Sequence, residues 1–166
     1  MTRAIFIFLT FLFSSTAQAD CEKNFIYAEN KYGIPNGYLR AIALTEVGLG
    51  ETGKLRSWAF NIAGNSLYFR DKTDALRYLS KLDIENIDIG CMQINKYWHV
   101  KNFKSSKQML DPYQNVMYAA YFLKSIFNKT GSWEQSIKNY HSKNSDINNE
   151  YFKKVTHYMY KYKLYF

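Results

Sequence analysis

The chain has 166 residues, 18% of them aromatic, with two cysteines, three histidines and a formal net charge of +8 at pH 7. That length sets a prior of one domain and is enough for one good core. His99, His141 and His157 are scattered, and neither C-x-x-C nor H-E-x-x-H occurs, which argues against a metal site; no cofactor is expected.

The first nineteen residues read as a secretory signal peptide. Arg3 forms a short positive region, Ala4 to Phe13 is an uncharged apolar core, and Ala17-Gln18-Ala19 is an A-x-A cleavage pattern. The apolar run is too short to span a membrane, and the residues before Cys21 make no convincing lipoprotein signal; a retained anchor is the alternative. The expected product is one exported, soluble domain at 20–166 without stable membrane insertion. Losing Arg3 lowers the formal charge from +8 to +7. A basic exported protein can meet nucleic acid, anionic lipid or an acidic wall polymer. The lysines are spread along the chain, densest near its end, and form no compact nucleic-acid arm. The expectation is a general bias toward an anionic envelope, with no nucleic-acid partner. In an oxidising compartment Cys21 and Cys91 suggest a disulfide, with two unrelated buried thiols as the alternative.

Cys21 to Tyr32 predicts a helix with Phe25, Ile26 and Tyr27 in its apolar set and Gly33 as its C-terminal cap. Pro35 is placed to open a second helix, where its missing N–H costs nothing, running to about Glu46 with Gly48 ending it. Two aromatic-rich runs, Trp58 to Ile62 and Ser66 to Phe69, flank Ala63-Gly64-Asn65 and predict a small hairpin. Asp71 is a cap for a helix to about Leu82 with Ala75, Leu76 and Leu79 inward. Ser105 with Gln108 has capping-box spacing for one helical turn. Asp111-Pro112 opens a helix to about Lys129, with Gly131 after it. Ser132 with Gln135 starts a short helix carrying Trp133, Ile137 and Tyr140 on one face, and Asp146 can cap a last helix from Ile147 to about Tyr160. The class is α+β, mostly helical, with one small antiparallel hairpin or sheet.

Glu46 is unusual by position. Leu39, Ile42 and Ala43 define a helix face that continues onto it at spacings of seven, four and three. A carboxylate facing the core at a helix C-terminus is disfavoured by desolvation and by the macrodipole, so its pKa should be raised. An acid protonated near neutral pH is what a glycosidic leaving oxygen needs. The alternative is a Glu that reaches water as its helix frays. A second carboxylate is not obvious: Asp71, Asp74, Asp83, Glu85 and Asp88 all follow, none on a clearly apolar face. Tyr140 reads as core packing or as a hydrogen-bond donor. A Ser142–His–Asp triad lacks any G-x-S-x-G elbow.

Four segments together resemble the soluble lytic transglycosylase (SLT) domain family. They are Tyr32-Gly33-Ile34-Pro35 through Ala41 to Glu46; Gly90-Cys91-Met92-Gln93-Ile94-Asn95; Asp111-Pro112 with Asn115 and Ala119 to Leu123; and Gly131-Ser132-Trp133 through Tyr140. The Gly-Cys-Met-Gln form, the Trp58 to Phe69 run and the Tyr-His-Ser ending are similar to a small exported subgroup. The resemblance implies a goose-type lysozyme-like fold and cleavage of the β-1,4 bond between N-acetylmuramic acid and N-acetylglucosamine in peptidoglycan. It implies Glu46 as the single acid and base, with 1,6-anhydro ends as product, and Tyr140 as the residue orienting Glu46. It also implies Gly90, Met92, Gln93 and Asn95 along the sugar cleft.

Two departures stand out. Val47 follows the Glu where Ser is common, and Asn139-Tyr140-His141-Ser142-Lys143 replaces the usual Ala-Tyr-Asn-Ala-Gly. His141 and Ser142 are therefore candidates to replace lost polar contacts to substrate. Cys91 is not demanded by the family pattern; a bridge to Cys21 would pin the cleft wall to the first helix. A true lysozyme and a non-catalytic wall-binding module remain as alternatives. The expected location is the periplasm, and the host process, including an envelope-spanning secretion or flagellar assembly as partner, is left open.

Overall fold

The computed structural model describes residues 21–164; the expected leader lies outside the described residues. The elements are α1 (Glu22–Tyr32), α2 (Tyr38–Glu46), β1 (Ala59–Ile62), β2 (Asn65–Tyr68), α3 (Lys72–Leu79), β3 (Asp88–Ile89), β4 (Ile94–Asn95), α4 (Lys96–His99), α5 (Ser106–Met109), α6 (Pro112–Thr130), α7 (Trp133–His141) and α8 (Ser145–Lys161), with a single 3-10 turn at Val100–Asn102. The architecture is the expected α+β, mostly helical.

Most helix starts follow their caps. The Asp71, Asp111 and Ser132 side chains accept from the N–H groups of Asp74, Gln114 and Gln135, as short polar side chains do at an N-cap. Three starts differ. At α5 the Gln108 side chain reaches back to the Lys104 N–H at 2.7 Å, and the Ser105 hydroxyl caps nothing. At α8 the cap is Asn144, so Asp146 falls inside the first turn. α2 begins three residues after Pro35 because a neighbour holds its first turn: the buried Glu29 carboxylate of α1 accepts the Leu39 N–H at 2.9 Å. An anion on the free N–H groups of a helix start replaces a local cap.

α6 runs through the core with Val116, Ala119, Ala120 and Leu123 fully buried, packing against α1 and α7, while α2 packs against α8. The apolar set expected on α1 is corrected: Phe25 is buried, but Ile26 is 67% and Tyr27 54% exposed. Three consecutive residues span most of a helix circumference, so one face cannot take all three.

The sheet has the order β2-β1-β3-β4, antiparallel throughout. The β1–β2 hairpin turns at Ala63-Gly64, both at positive φ, the twist a two-residue hairpin loop favours. The strands β3 and β4 are two residues each and flank Gly90 to Gln93, so this segment is the tip of a second hairpin.

Cys21 and Cys91 are joined, S–S 2.04 Å, across a sequence separation of 70. The bond ties the start of α1 to the tip of the β3–β4 hairpin. Closing a loop of that size stabilises by about 4 kcal/mol in the chain-entropy description. The double substitution Cys21→Ser/Cys91→Ser is expected to lower the unfolding temperature by roughly 10 °C, measured by thermal unfolding. Reductant should shift the parent protein similarly and leave the variant unmoved.

Candidate active site

α2 delivers Glu46 to a junction. Leu39, Ile42 and Ala43 are wholly buried, so the helix cannot rotate without exposing them, and Glu46 must follow the same face. Its side chain keeps an opening to a pocket of about 310 Å³, while protein surrounds the carboxyl. From α8, 105 residues away in sequence, the Tyr151 hydroxyl donates to Glu46 Oε1 at 2.6 Å. Burial pushes the Glu46 carboxyl up to about 7; the Tyr151 hydrogen bond opposes that, and the negative charge of Asp88 adds to it. Val47 is buried and apolar, so it offers the acid no polar neighbour. Arg56 donates to the Val47 carbonyl at 2.9 Å, satisfying an end of α2 that would otherwise be open.

The phenol that reaches Glu46 was not visible as such in the sequence. Tyr151, Val155 and Met159 recur at four-residue spacing and are all buried, and a phenol on such a face needs a polar partner. That periodicity was the available signal. Tyr140, the expected orienting residue, instead donates to the Met92 carbonyl at 2.8 Å. Burial, with the charges of Glu46, Tyr118 and Asp88, holds its pKa well above the usual phenol value, so it stays a neutral donor.

The Gly90 to Asn95 segment is corrected in part. Met92 is fully buried, so its thioether belongs to the core and offers no apolar wall to a sugar. Gly90 has φ +81°, and a Cβ there would lie 2.7 Å from the Asn115 side chain. Its freedom allows close packing on Asn115. Asn115 is itself wholly buried; its oxygen accepts from the Met92 N–H, and its nitrogen donates to the Ile89 and Met109 carbonyls, all within 2.9 Å. Gln93 is half-buried and donates to the Gly90 carbonyl at 2.7 Å, while its side-chain oxygen accepts no hydrogen bond from any described residue. Asn95 donates to Asp88 and to Asn86, each at 2.8 Å, and caps α4.

Asp88 stands on Glu46's side of the molecule, which sequence spacing did not indicate. Strand alternation turns Ile89 into the core and leaves Asp88 half-buried. Burial raises its pKa, and the Asn95 hydrogen bond and nearby His141 oppose the rise. His141 and Tyr151 share the pocket with Glu46, Lys154 and the exposed Asp146 and Glu150. Ser142 does not line that pocket. Its hydroxyl accepts the Asn144 N–H at 3.1 Å in the turn between α7 and α8. A larger pocket of about 380 Å³ among Tyr38, Ile137, Phe152 and Met159 holds one carboxylate, the exposed Glu134, already paired to Lys138 at 2.6 Å. It has no buried acid to offer. Among the described residues no three His, Cys, Asp or Glu side chains gather as metal ligands, and no helix is long and apolar enough to cross a membrane.

The family described as the transglycosylase SLT domain matches residues 23–161, nearly all of the described chain. The chain belongs to the SLT domain family. No curated protein and no solved structure shows a significant match to it. SLT membership accounts for the lysozyme-like α+β architecture and for peptidoglycan lytic transglycosylase-type activity as the general expectation.

The buried acid of this SLT domain has a thermodynamic consequence. The Glu46 pKa of about 7 lies above the ordinary carboxyl value near 4.5, so the native state binds the proton more tightly than the unfolded chain does. The resulting stabilisation is complete below the unfolded value and lost as pH rises through the folded one, an effect of order 1–3 kcal/mol. Glu46→Gln keeps an acceptor for Tyr151 without the charge. It should unfold several degrees above the parent protein at pH 8.5, with the gap shrinking toward pH 5, as read by calorimetry.

Proposed function

We propose that this SLT domain cleaves the β-1,4 bond between N-acetylmuramic acid and N-acetylglucosamine, leaving 1,6-anhydro ends, with Glu46 as sole acid and base. The observation that carries the reading is a carboxyl of pKa about 7, opening on a pocket and held by one phenol. In the first step protonated Glu46 gives its proton to the leaving glycosidic oxygen as the C1–O bond breaks. The resulting carboxylate then takes the proton of the muramoyl 6-hydroxyl while that oxygen bonds to C1, which restores the acid and consumes no water. A pKa near the working pH suits both halves of the cycle. Gln93, whose side-chain oxygen accepts from no described residue, is the candidate to meet neutral sugar groups, while the Asn95 amide is taken up by Asp88, Asn86 and Trp98. The working location follows from the leader at 1–19, through export to the periplasm.

One observation favours a second reading. Asp88 is close enough for its charge to act on Glu46, and hydrolases of glycosides pair two carboxylates. Against it, the Asn95 amide already donates to an Asp88 oxygen at 2.8 Å, and a hydrogen bond accepted by a carboxylate lowers its basicity.

Mass analysis of digested peptidoglycan separates the two: anhydro ends are expected, and hydrated reducing ends alone would sink the transglycosylase reading. Glu46→Gln is expected to lower the rate by about 10²–10⁴-fold, with equal clearing by parent and variant counting against the acid. Activity should fall as pH rises through about 7, because the acid form acts first. Tyr151→Phe removes a hydrogen bond that lowers the Glu46 pKa. It should therefore reduce kcat while moving the alkaline limb of the pH profile to higher pH.

A further inference from the structure

His141 forms no hydrogen bond with any described residue, yet its place is closely defined. Its ring lies flat against Tyr151, centroids 4.4 Å apart and planes within 3°. Tyr151 is 6% exposed, and both residues line the Glu46 pocket. The imidazole is itself exposed, so it covers one face of the phenol and presents its other side to the opening. We propose that His141 is a positioning residue: its imidazole stacks on Tyr151 and keeps the phenol hydroxyl directed at Glu46 Oε1. This rests on reading Glu46 as the acid.

The geometry explains why a ring is needed there. Tyr151 holds Glu46 through one hydroxyl at the end of a rotatable side chain. Holding that side chain in a single rotamer costs conformational entropy, and the phenol stands on the pocket wall beside Glu46. A flat partner covers one face of the phenol and removes the space into which it would tilt. Stacked rings are one of the arrangements in which aromatic side chains pair.

The backbone on either side sets the partner's position. His141 ends α7, and Ser142 then turns the chain, its hydroxyl accepting the Asn144 N–H and its carbonyl accepting from the buried Asn148 of α8 at 3.3 Å. Ser142 thus fixes the offset between the two helices that brings residue 141 over residue 151. The charged and titratable groups around the ring are Glu46 of α2, Asp88 of β3, and Asp146, Glu150, Tyr151 and Lys154 of α8. Covering of its Tyr151-facing side by protein holds the imidazole below its ordinary pKa, with Asp88 opposing and Lys154 reinforcing. A neutral ring stacks without placing a cation beside the acid, which would promote loss of its proton.

The experiment compares His141→Ala, His141→Phe, Tyr151→Phe and the double variant Tyr151→Phe/His141→Ala. Turnover of a defined glycan strand gives kcat and KM, and NMR titration of labelled glutamate gives the Glu46 pKa. His141→Ala is expected to lower kcat about tenfold with KM changed less than twofold. It should raise the Glu46 pKa in the same direction as Tyr151→Phe, and by no more. His141→Phe should restore most of what Ala loses in both measurements. In the Tyr151→Phe background the Ala substitution should add nothing, since the hydroxyl it positions is gone.

Equal losses in both backgrounds would overturn the proposal, as would a raised KM with unchanged kcat, or a His141→Ala variant that matches the parent. Failure of the catalytic reading is separately visible. Parent protein and Glu46→Gln would then act alike on peptidoglycan, while the NMR titration would still report whether the stack holds Tyr151 on Glu46.

Discussion

A carboxyl group enclosed by protein must either keep its proton or find a partner, and the surroundings of Glu46 are arranged so that it can do both. Burial favours the neutral acid, and the Tyr151 hydroxyl favours the anion. The two opposing influences leave the group near neutrality, where giving and regaining a proton cost about the same. This balance depends on α8 crossing α2 at one place. A shift of one residue along α8 would turn Tyr151 away by a hundred degrees and leave the carboxyl with burial alone. The buried anchors that set the crossing, Leu39 and Ile42 on α2 and Val155 on α8, are therefore part of the chemistry although none of them touches it.

The opposite side of the site depends on a buried amide. Asn115 uses its oxygen and both protons on the hairpin between β3 and β4 and on the chain before α6. Gly90 lacks a side chain so that Asn115 can come close. The Tyr140 hydroxyl and the Cys21–Cys91 bond hold the same hairpin from two further directions. A two-residue strand pair has little stability of its own, and these ties supply it. The hairpin in turn places Asp88 near the acid and leaves Gln93 and Asn95 partly open. The segment is built from the inside, and its conspicuous residues, Gly90, Cys91 and Met92, serve packing first.

Substituted positions show how one side chain's duty can be moved elsewhere. Val47 offers no hydroxyl, and the polar contact to Glu46 comes instead from α8. His141 and Ser142 stand where the family usually has Asn and Ala, and neither compensates by hydrogen bonding to the acid. One stacks on the phenol that does, and the other sets the turn that allows the stack.

Local chemistry was legible from the chain alone. The helix caps at Asp71, Asp111 and Ser132, the Ala63-Gly64 turn and the helical face ending at Glu46 all follow from spacing and residue type, because they involve neighbours within a few positions. The SLT resemblance added the order of segments and thereby the architecture. The late start of α2 was not legible, since the carboxylate that caps it comes from α1. Nor was the identity of the phenol on Glu46, the burial of Met92, or the approach of Asp88. Each depends on which surfaces meet across 10 to 105 residues of chain, and side-chain period says only that a residue faces inward. Sequence determined that an acid ends the apolar face of α2 on an SLT scaffold. Tertiary packing decided which groups enclose it, because a hydrogen bond of 2.6 Å between distant helices is set by their crossing and not by either helix alone.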